Sequence, residues 1–167
     1  MDFLSNSSTN VNILSSNRNS ADSEGRYINF NPSSTSLIPT EKGGVTPPSY
    51  ISLGHEMAHI EDKYKRTLDQ SNWVSITGSD GNTQNIPKAE LYSTHRENQL
   101  RSEQGLPLRT HYAVDANGNG YEPTRIIIKS THIGVYAQPM QVGSFQIPSF
   151  GGSTVTRPFI VSQRVSY

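Results

Sequence analysis

The stretch Leu53-Gly54-His55-Glu56-Met57-Ala58-His59-Ile60 decides how this sequence is read. On a helix, His-Glu-x-x-His places two imidazoles one turn apart on the same face, where both can hold one metal ion. The chain has no cysteine, so any metal must rest on histidines and carboxylates, and the ion that suits such a set is Zn2+. Glu56 adjoins the first imidazole and is placed to take a proton from a water attacking a carbonyl. The spacers Met57 and Ala58 are uncharged and Ile60 is apolar, while Gly54 and Ala58 leave room for a second helix to pack closely. The competing reading of His55 and His59 is that of surface or core histidines without a metal.

Moving outward, Thr46-Pro47-Pro48 reads as a helix start, and the helix is expected from about Pro48 to Arg66. Tyr50, Leu53, Met57, Ile60 and Tyr64 recur at spacings of three and four and are expected to face the core. A second helix is expected to open at Pro87 and close at Gly105. Strands are expected at Arg26–Phe30, Trp73–Thr77 and Arg125–Lys129, with an edge strand in Val11–Leu14. Asp115-Ala116-Asn117-Gly118-Asn119-Gly120 imitates the opening of a calcium loop, but Ile126 stands where the closing glutamate is required, so a hairpin turn is expected. The fold class is therefore α+β and zincin-like: a small twisted β-sheet, the His-Glu-x-x-His helix across it, and a second helix supplying the third ligand. Residues 1–25 read as a Ser/Asn-rich linker or edge strand, 26–137 as the domain, and 138–167 as a Gly/Ser/Pro-rich tail.

A tetrahedral site needs a third protein ligand. The candidates are Asp62, His95, Glu97, Glu103 and His111. Asp62 shares the face of His59, but a ligand from a separate element encloses a metal better. Glu97, inside the second helix and one turn before Leu100, is the choice; His95 is the runner-up, and Glu103 reads as a solvated charge or a partner of Arg101. Beyond that helix, an extended Arg109-Thr110-His111-Tyr112 would turn Arg109 and His111 one way and Tyr112 the other. Arg109 or Tyr112 could steady an oxyanion; equally, Arg109 could be salt-bridged to the second helix and Tyr112 could be core. His132, Tyr50, Tyr64 and Trp73 read as structural.

His55-Glu56-Met57-Ala58-His59, the downstream run Glu97-Asn98-Gln99-Leu100-Arg101 through Arg109 and Tyr112, and the upstream Ile28-Asn29-Phe30-Asn31-Pro32 together resemble the NleD-type effector metalloproteases. These are bacterial zinc endopeptidases found as injected effectors and as C-terminal toxin domains of Rhs-type polymorphic toxins. The resemblance covers roughly residues 26 to 112. It implies His55 and His59 as ligands, Glu56 as base, and roles for Glu97, Asn98, Arg101, Arg109 and Tyr112. A fainter similarity, to clostridial neurotoxin light chains, rests on the Arg109-x-x-Tyr112 pair.

Composition excludes several other classes. Fourteen basic residues balance 14 acidic ones among 167, which gives no electrostatic footprint for a nucleic acid or a membrane surface. No apolar run is longer than Ile126-Ile127-Ile128, far too short to span a bilayer, and the N-terminus lacks the pattern of a signal peptide. The expected function is a zinc endopeptidase delivered, as part of a larger secreted or injected effector or toxin, into the cytoplasm of a target cell. Its partner there is a protein substrate, and the setting allows for a cognate immunity protein. The alternative is a non-catalytic binding or adhesion module with a structural or vestigial metal site.

Overall fold

The computed structural model describes residues 10–77, 81–115, 117–128, 131–148 and 154–167. It is α+β, but the strands form several small sheets around two helices instead of one continuous sheet. β1 (Asn12–Ser15), β2 (Ser20–Ala21) and β3 (Tyr27–Phe30) make the first, in the order β1-β3-β2, with β1 parallel and β2 antiparallel to β3. Val11–Leu14 thus contributes the edge strand expected of it. Polar and apolar residues alternate in β3, and Ile28 is its buried member. The turn before β3 closes through Gly25, whose φ of 76° is open to glycine without strain.

A hairpin of β4 (Ile38–Thr40) and β5 (Gly43–Val45) leads into α1 (Ser49–Lys65). A second hairpin, β6 (Asn72–Thr77) with β7 (Thr83–Pro87), runs directly into α2 (Ala89–Glu103), which packs along α1. The proline that opens α1 and the left-handed Gly105 beyond α2 stand where the sequence puts them. The buried face of α1 does not. It consists of Ile51, Gly54, Ala58, Ile60, Glu61 and Asp62, while Tyr50 is 47% exposed and Leu53, Met57 and Tyr64 are only partly buried. Gly54 and Ala58 lie on the side turned to α2, which meets α1 largely with polar groups: Ser93 and Glu97 reach His55, Arg96 reaches Glu61 (3.0 Å) and the Tyr92 hydroxyl accepts from Lys65 (3.1 Å).

Leu108–Tyr112 is not a regular strand but a lace between neighbours. Leu108 O accepts from Glu41 N (3.1 Å), Thr110 N donates to Pro39 O (2.9 Å), and Tyr112 N donates to Thr124 O (2.8 Å). β8 (Ile127–Ile128), β9 (Ile133–Pro148) and β10 (Thr154–Ser166) form an antiparallel sheet in the order β10-β9-β8, so the tail is a long hairpin over these residues. The apolar core is modest, with Leu108, Ile126 and Ile127 packed by Trp73, Leu91, Tyr112 and Tyr167. Ala116 of the expected hairpin turn and Lys129 of the expected last strand lie outside the described residues. Among the described residues no helix is long and apolar enough to cross a membrane.

α1 ends with Arg66 at φ 60°, where Arg66 N bonds Lys63 O (3.0 Å) and Thr67 N bonds Asp62 O (3.1 Å). This is a left-handed cap on a residue with a Cβ, which costs roughly 1 kcal/mol relative to glycine. Arg66→Gly is therefore expected to raise unfolding free energy by about 0.5–1 kcal/mol, read from urea denaturation.

Candidate metal centre

The one-turn spacing on α1 sets the rings of His55 and His59 edge to face, 5.1 Å apart. The first turn of α2 brings Glu90 between them: its Oε2 lies 3.1 Å from His55 Nε2 and 3.3 Å from His59 Nε2. Ligand atoms of His55, His59 and Glu90 all fall within 4.8 Å of one another, the one such group among the described residues. In a tetrahedron with zinc-to-ligand bonds of about 2.0–2.2 Å the ligand atoms stand roughly 3.3–3.6 Å apart. The two contacts of the Glu90 oxygen come close to that spacing, and the three side chains stand near enough to hold one metal ion.

Glu97 is placed elsewhere than a third-ligand reading requires. Its Oε2 faces the other nitrogen of His55, Nδ1, at 3.1 Å, on the far side of the ring from Glu90. The same oxygen accepts from Arg109 Nη1 (2.7 Å), and Oε1 accepts from Arg101 Nε (2.8 Å). Glu90 and Glu97 are seven residues, two turns, apart on one face of α2; the way the helices pack sets the first against both imidazoles and the second behind one of them. Glu90 was absent from the candidates above. The signal for it was the polar face Glu90, Ser93, Glu97, Arg101, in which Ser93 Oγ also lies 3.2 Å from His55 Nε2.

The electrostatics follow from these contacts. Burial alone would lower the pKa of His55, but its bonds to Glu90 and Glu97 outweigh that and raise it to about 10. Burial pushes Glu90 up, and the two imidazoles more than reverse this, leaving it below the usual carboxylate range. Glu97 is held low in the same way by Arg109, His55 and Arg101. The pocket thus favours one positive charge between its carboxylates. Glu56 is different: burial raises its pKa and outweighs the opposing pull of the His55 and His59 imidazoles, to which the Ala21 backbone adds a little. Burial likewise raises Tyr112, whose hydroxyl faces Glu90 and stays protonated.

Arg109 and Tyr112 do not diverge as alternating strand residues would. The Arg109 guanidinium lies 5.0 Å from the Tyr112 ring centre and donates to the carbonyls of His111 (3.1 Å) and Tyr112 (2.6 Å) as well as to Glu97. Asn98 clasps the backbone of Arg109 with both ends of its amide, at 2.8 and 2.9 Å. None of the remaining candidates joins the group of His55, His59 and Glu90. Asp62 is buried and bonded to Thr67, His95 Nδ1 is 2.7 Å from the Tyr167 hydroxyl with its pKa lowered to about 4 by burial, His111 Nδ1 contacts Thr110 (2.9 Å), and Glu103 is exposed. Removing the Glu97 charge would leave Arg101 and Arg109 buried without a counter-ion. Glu97→Gln is expected to cost about 3–5 kcal/mol of stability, measured by denaturant unfolding of metal-free protein.

Two clefts meet at His55, Glu56 and Tyr112. One, of about 500 Å³, runs past Glu90 toward Ser20–Glu24, and the other, of about 430 Å³, runs past Arg109 toward Asn17–Asn19. Comparison with curated proteins and with solved structures gave no match. A family model, Peptidase_M91, described as an effector protein, matches residues 4–94, a span that takes in the first sheet, all of α1 and Glu90 and stops before Glu97. That is more than half of the chain, and with the helix pair and its histidines it shows that the chain belongs to the Peptidase_M91, NleD-type family of effector proteins.

Proposed function

We propose that this chain is a zinc-dependent endopeptidase of zincin-like fold, an effector or toxin domain that cleaves a protein in the cytoplasm of a target cell. The observation that carries the reading is the single Glu90 oxygen shared by His55 Nε2 and His59 Nε2, with Glu56 beside them on the same helix. Zinc bound there would polarise a scissile carbonyl and acidify a water. The chain supplies the rest. Glu56, with a pKa raised by burial, can accept a proton and return it to the leaving amine. Tyr112, kept protonated, offers a hydroxyl donor to an oxyanion. Arg109 acts through others, fixing Tyr112 by its carbonyl and ring, and Glu97 by its carboxylate. Glu97 in turn orients His55 from behind, which presents Nε2 to the metal. An effector family, a cleft open on both sides of the site and a neutral net charge agree with a folded domain that acts on a polypeptide after delivery.

Metal content by mass spectrometry and turnover on a cleavable protein or peptide separate these roles. Native protein is expected to hold about one zinc per chain, and Glu90→Gln to lose it. Glu56→Gln should retain the metal with turnover lowered about 10²–10⁴-fold, and Glu97→Gln should bind zinc roughly 10–100-fold more weakly. Zinc retained in full by Glu90→Gln, or undiminished turnover in Glu56→Gln, would refute the assignment.

A further inference from the structure

The two halves of the cleft differ in charge. In the half beside Glu90 the wall carries Asp22, Glu24 and Lys63, and its carboxylates are matched: Asp22 by Arg26 at 2.9 Å, Glu24 by Lys63 at 3.8 Å. In the other half the wall away from the shared site residues is built chiefly of Asn17, Asn19, Ser34, Ser36 and Ser52, with Arg18 at its rim. Arg18 is exposed, its backbone N–H is held by Ser16 Oγ (3.4 Å), and its guanidinium has no ion-pair partner among the described residues. The carboxylates in that half are Glu56 and Glu97, and Glu97 is already outnumbered by the two guanidinium groups of Arg101 and Arg109. Glu56 offsets the one positive charge by which that buried cluster exceeds Glu97, so the uncompensated charge a substrate meets on entering this half is the guanidinium fork of Arg18.

We infer that this half of the cleft receives an acidic side chain of the substrate, with Arg18 as the specificity-determining residue that pairs with its carboxylate. The inference rests on the endopeptidase reading and deepens it: the preferred substrates are polypeptides with Asp or Glu at one fixed position near the cut bond. Arg18 suits the task because guanidinium pairs with carboxylate through two parallel hydrogen bonds. Its place at the rim leaves the pair partly screened by solvent, so the preference weakens as salt rises.

The test incubates zinc-loaded native protein, Arg18→Ala, Arg18→Glu and Glu56→Gln with a peptide library prepared from a digested proteome, and reads cut sites by mass spectrometry. Circular dichroism confirms that each variant folds. Cuts that depend on Glu56 are expected to show Asp or Glu enriched at one position within about four residues of the bond, the span of such a half-cleft at roughly 3.3 Å per extended residue. Replacing that residue by Gln or Asn in one cut peptide should lower kcat/KM about tenfold for the native protein. It should leave kcat/KM nearly unchanged for Arg18→Ala, and Arg18→Glu should favour Lys or Arg there. Cutting without acidic enrichment, or with the same enrichment in Arg18→Glu, overturns the inference and leaves the endopeptidase reading standing. No Glu56-dependent cutting by native protein would overturn both.

Discussion

Glu97 is the carboxylate on which the site is built. It is 3% exposed and sits between His55 of α1, Arg101 of its own helix and Arg109 of the following segment. A lone buried carboxylate would cost several kcal/mol, so its three partners are held to it by that cost. The consequence is geometric. Arg101 also donates to Pro107 O at 3.1 Å and Arg109 to the carbonyls of His111 and Tyr112, so one buried charge fixes where the chain goes after α2. Polar contacts stand beside apolar packing between the helices: Ser93 and Glu97 reach His55 and Arg96 reaches Glu61, next to Met57, Ala58 and Leu100.

That arrangement explains how so modest a core can hold a precise site. The first turn of α2 carries Glu90 to both imidazoles because its next two turns are locked by Glu97 and Arg101. Below the histidines, Tyr64 donates to Gly25 O at 2.9 Å and ties the end of α1 to the turn before β3. The strand β2 is thereby set alongside α1, with Ala21 near Glu56 and the residues of its approach lining the cleft. Ser/Asn-rich sequence near the N-terminus thus becomes cleft wall.

Much of this was legible beforehand, because the residues concerned act locally. The extent of α1 follows from its prolines, the face shared by His55 and His59 from their spacing, and the left-handed Gly105 from its position past α2. What was not legible depends on how two helices meet. Glu90 and Glu97 differ only by two turns, and nothing in the local sequence says which of them reaches His59. The apolar stripe through Tyr50 and Met57 departs from the buried face for the same reason: Ala58 and Ile60 are buried while Tyr50 is 47% exposed. The turn of Arg109 toward Tyr112 needs a buried partner many residues away, which periodicity along a strand does not encode.

In the proposed site Glu90 completes the ligand set and Glu97 stands behind His55. Anomalous diffraction at the zinc absorption edge, from crystals grown with zinc, tests that assignment without any knowledge of the substrate. One peak is expected, bounded by His55 Nε2, His59 Nε2 and a Glu90 oxygen at about 2.0–2.2 Å each, with Glu97 still on His55 Nδ1. A peak ligated by Glu97, or none between the two histidines, would contradict it.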